Sequence, residues 1–115
     1  MAEIHEEIFD VLCCIVVADG KATSGEKEKL VELMKKTGSG WGTKKVADQL
    51  ATFITRIRVD SYENVVEKSL VSVPKFKEIG REDVLLRCVD LIAEADGTLD
   101  DREAKLIAEI RSRLE

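Results

Sequence analysis

Four carboxylates stand out by type and spacing. Asp19 is followed by Gly20 and, seven residues after the aspartate, by Glu26; Asp96 is followed by Gly97 and, at the same interval, by Glu103. Two carboxylates bracketing a tight turn offer oxygen donors only. That donor set suits a hard divalent cation such as Ca²⁺, Mg²⁺ or Mn²⁺, and Zn²⁺ also accepts carboxylate ligands. Backbone chemistry offers a competing reading. Gly20 and Gly97 supply positive φ where a helix stops, while Thr23 and Asp100 are good N-caps for a following helix. Glu26 and Glu103 stand three residues after those caps, so each turn also contains a capping box.

Capping accounts for both glutamates but less well for the aspartates. Asp19 and Asp96 fall at the end of a helix, where the macrodipole disfavours a carboxylate by about 0.3–1 kcal/mol. Backbone N–H groups, a nearby Lys or Arg, or a bound cation would have to compensate. If the two turns pack about a twofold axis, all four carboxylates gather on one side, joined by Asp100 and Asp101. Such a cluster raises some of its own pKa values unless a cation neutralises it. The expected metal ligands are Asp19, Glu26, Asp96 and Glu103.

The elements that must position these residues are helices. Ile4, Ile8, Val11, Leu12 and Ile15 recur at helical spacing and run into Ala18-Asp19-Gly20. Val11 to Ala18 is apolar on all sides, so this helix is expected near the middle of the fold. A second helix is predicted from about Ser24 to Thr37, with Leu30, Leu33 and Met34 inward. Gly38-Ser39-Gly40-Trp41-Gly42 reads as a loop, Gly38 being its left-handed helix terminator. Val46, Leu50, Phe53, Ile54 and Ile57 fit one face of a third helix. Asp60-Ser61-Tyr62-Glu63 reads as a capping box opening a fourth, which Pro74 should end or kink. A fifth runs from about Glu82 to Asp96, and a sixth from Asp101 to Arg113 buries Leu106, Ile107, Ile110 and Leu114.

The chain also repeats itself. Ile8 to Leu33 overlays Leu85 to Ile110 without gaps, pairing Ile15 with Ile92, Ala18-Asp19-Gly20 with Ala95-Asp96-Gly97, and Glu26 with Glu103. Each copy is an apolar helix, an Asp-Gly turn and an amphipathic helix. Two such hairpins can pair their first helices about an approximate twofold axis. The second copy matches the latter part of a calcium-binding EF-hand loop from Asp96 to Glu103, but Ile92 and Glu94 stand where that loop needs its first ligands. A true EF-hand is not expected; the match is to the turn and the exiting helix only.

Paired Ala-Asp-Gly … Glu hairpins near both ends of a small helical chain resemble the TerB-like (tellurite-resistance) family. The resemblance is strong over Ile15–Leu33 and Ile92–Ile110 and weak between them. It implies an all-α fold of paired hairpins and a metal site at the acidic motif residues, which here are Asp19, Glu26, Asp96 and Glu103. It also implies a part in bacterial tellurite-resistance and stress-response systems that work through protein partners near the membrane. Thr23-Ser24 stands where the second copy has Asp100-Asp101, so the two half-sites differ in acidity.

Composition narrows the remaining options. With 115 residues, 44% hydrophobic, 36% charged and 4% aromatic, residues 1–115 are expected to form one all-α domain, a bundle of six to seven helices with two pseudo-symmetric hairpins. A net charge of −5 argues against coating nucleic acid or anionic lipid. No apolar run is long enough to span a bilayer, and the acidic start is unlike a secretory signal. Cys13, Cys14 and Cys88 lack zinc-type spacing and read as reduced core thiols of a cytoplasmic protein. The single histidine, His5, has no nucleophile to serve, so no enzyme is expected. A metal-free docking domain is the alternative to the cation module. It would use Trp41 as a partner anchor or the basic middle formed by Lys44, Lys45, Arg56, Arg58, Lys75, Lys77 and Arg81. Trp41 folded back as a hydrophobic lid is the competing assignment.

Overall fold

The computed structural model describes residues 3–18, 24–37, 40–94 and 101–115. Among them the chain is all-α, with α1 (Glu3–Val16), α2 (Ser24–Lys36), α3 (Thr43–Val59), α4 (Tyr62–Leu70), α5 (Val73–Glu78), α6 (Glu82–Glu94) and α7 (Asp101–Arg113), and no strand. The expected centre is the observed one. Val11 to Val16 are 0% exposed, and α1 touches α2, α3, α4, α6 and α7. Its most extensive partner is α6, so the apolar first helices of the two hairpins pack together. Each buried Leu, Ile or Val side chain contributes about 1.5–3 kcal/mol relative to exposure. A helix apolar on every side can be stable only with neighbours on every side.

The repeat persists in three dimensions. α2 and α7 begin at residues that the sequence overlay pairs, Ser24 with Asp101, and both run three residues past its end, to Lys36 and Arg113. Leu33 and Ile110 are both buried, as are Ile15 and Ile92. The match is not complete. Leu30 is fully buried, whereas its counterpart Ile107, expected in the core, is only half-buried. α2 packs against α1, α3 and α6, but α7 packs against α1, α5 and α6, so equivalent positions meet different surroundings.

Two boundaries differ from expectation. The N-cap of α4 is Ser61, not Asp60: its hydroxyl accepts the Asn64 backbone N–H at 3.1 Å. Asp60 instead accepts from Asn64 Nδ2 at 2.8 Å and Lys68 Nζ at 3.2 Å. After α4 the chain turns through Val71 and Ser72, and Pro74 lies in the first turn of a separate short helix, α5. A proline there removes an N–H that would have no intrahelical partner in any case. α5 closes on Gly80 with φ 73°, where Arg81 N–H reaches Phe76 O at 2.7 Å and Gly80 N–H reaches Lys77 O at 3.2 Å. This is a Schellman closure, which needs the left-handed conformation glycine adopts without strain. Gly38, expected to terminate α2, lies outside the described residues.

The end of α1 depends on α4. Val17 N–H still bonds to Cys13 O at 3.0 Å, but Ala18 N–H tightens onto Ile15 O at 3.2 Å. Tyr62 Oη then donates to Cys14 O at 2.8 Å. A carbonyl at the end of α1 is thereby satisfied by a side chain of α4, which fixes that end against α4. Tyr62→Phe should lower unfolding free energy by about 1–2 kcal/mol in urea titration, with helicity by circular dichroism retained.

Candidate functional site

Of the four expected ligands, the structure describes the two glutamates. Glu26 lies in the first turn of α2 and is 1% exposed; Glu103 lies in the first turn of α7 and is 2% exposed. Asp19 and Asp96 lie outside the described residues, as do Thr23 and Asp100. The carboxylates at matching positions of the two copies are therefore withdrawn from solvent to the same degree. Each sits at the positive end of a helix macrodipole, a favourable place for an anion. Among the described residues no group of three or more His, Cys, Asp or Glu side chains converges as a metal cage.

A cation already approaches the first turn. Arg102, in the first turn of α7, directs Nη1 toward Ala18 O at 3.5 Å, beside the negative end of α1. This contact brings the start of α7 to the end of α1. The arrangement is not reciprocated, because the overlay places Gly25 where the second copy has Arg102. The two turns thus differ in charge. Arg102 reaches the Ala18 carbonyl just before the first, and the second carries the additional acidic residues Asp100 and Asp101 in its sequence.

Trp41 is half-buried, with its ring centroid 5.3 Å from that of Phe9 at 53° and Lys45 Nζ 5.1 Å above the ring. It lies as a lid on the N-terminal half of α1, the arrangement of a core-covering side chain. Part of the basic middle is likewise engaged within the molecule. Arg56 pairs with Asp10 at 3.6 Å and lies over Phe53, while Lys75 pairs with Glu7 at 2.9 Å. Lys44, Arg58, Lys77 and Arg81 are exposed.

The cysteines are free and buried. Desolvation pushes the Cys14 thiol up to about 12, raises Cys13 well above its ordinary value, and raises Cys88. These sulfurs behave as apolar packing. His5 is half-buried in α1.

One feature could not be read from spacing. A cleft of about 1050 Å³ opens between the end of α1, α3, α4 and α7. Ile54, Ile57, Val66 and Leu106 line its apolar part, and Arg58, Arg102, Lys105 and Arg113 line its basic part. The available signal was weak: Ile54 and Ile57 continue the inward face of α3 but remain only half-buried. A second, smaller cleft of about 540 Å³ between α2 and α3 is mostly apolar, with Val31, Val46 and Leu50 among its walls.

No helix among the described residues is long and apolar enough to cross a membrane. No protein-family model, curated protein or solved structure matches this chain.

Two measurements check this arrangement. Removing the Trp41 lid by Trp41→Ala should cost about 2 kcal/mol, read as a lower urea midpoint. Burial raises the Asp10 carboxyl above its ordinary 3.8; Arg56 pulls it back, and Glu6 and Glu7 push it further up. Between the ordinary and the raised value the folded chain holds more protons than the unfolded one, so this group makes stability fall as pH rises. Asp10→Asn should remove that component, seen as a changed slope of unfolding free energy against pH across the carboxylate range.

Proposed function

We propose that this chain is a TerB-like stress-response module whose acidic hairpin turns bind a divalent cation. The observation that carries the reading is the matched burial of Glu26 and Glu103 at the starts of α2 and α7. Withdrawing an ionised carboxylate from water costs several kcal/mol. In the sequence, Asp19 and Asp96 flank these glutamates and supply further oxygen donors of the same hard type.

The unequal turns make the second copy the stronger half-site. Asp96, Asp100, Asp101 and Glu103 concentrate negative charge there, while Arg102 stands beside the end of α1 and opposes a second cation at the first turn. The association with tellurite resistance follows from the resemblance of the two Ala-Asp-Gly … Glu hairpins. Ca²⁺, Mg²⁺ and Mn²⁺ suit the oxygen donors best, with Zn²⁺ a further ligand to test.

Calorimetric titration of metal-stripped protein with each of these four ions tests the reading. Asp96→Asn and Glu103→Gln should each weaken binding by about tenfold or more, equivalent to about 1.4 kcal/mol, and Glu26→Gln by less. Bound ion should also raise the melting temperature. Absence of both heat and thermal shift at millimolar metal would discard the cation and leave a metal-free docking domain.

A further inference from the structure

No further inference is drawn: the strongest candidate, the mostly apolar cleft between α2 and α3, sets Lys27 against Glu28 in its lining and so selects no charge, and, as for the larger cleft between α3, α4 and α7, nothing in the structure shows what covers it.

Discussion

The burial of α1 on every side is the constraint from which the other features follow. Its residues Val11 to Val16 have no solvent-facing edge, so the chain must supply walls in several directions. α6 provides the largest, α2, α3 and α4 add others, and α7 approaches near the end. A central helix also leaves its terminal carbonyls inside the protein, where water cannot satisfy them. The tyrosine hydroxyl on the Cys14 carbonyl and the guanidinium near the Ala18 carbonyl meet that need from two different helices. Both contacts hold the end of α1, so its placement is set by tertiary partners and not by its local sequence alone.

The duplicated hairpins share a frame but not a set of neighbours. Equivalent residues open and close their outer helices, and both initial glutamates are withdrawn from solvent. Divergence shows where the copies meet the rest of the chain. Gly25 faces no task that Arg102 performs, and Ile107 is left partly open where Leu30 is enclosed. A repeat built in this way can keep one chemical feature in duplicate while giving its two outer helices separate duties, α2 toward α3 and α7 toward the cleft.

Much of this was legible in the residues because long helices carry several turns of pattern. The apolar run at Val11–Ala18 announced a central helix, and the repeat gave the limits of α2 and α7 closely. Short elements carry less information. α5 has six residues, too few for a periodic face, and Pro74 read as a breaker where it serves as an opening residue. Asp60 and Ser61 are both competent caps; the choice fell to Ser61 because the Asn64 side chain and Lys68 engage the Asp60 carboxylate. The cleft left almost no trace in the sequence, since Arg58 and Lys105 come from helices distant along the chain and each resembles an ordinary solvated charge. Of the acidic quartet, Glu26 and Glu103 were identified by spacing, but spacing could not foretell that both would be enclosed. Asp19 and Asp96 lie outside the described residues.

The cysteines carry a chemical consequence. Oxidants and electrophiles consume sulfur mainly as thiolate, and enclosure in the core holds Cys13, Cys14 and Cys88 in the protonated form. While the bundle stays intact, an oxidising surge that exhausts accessible sulfhydryls elsewhere meets three atoms acting as hydrocarbon filler. Alkylation of any of them would then mark a molecule whose interior has come apart.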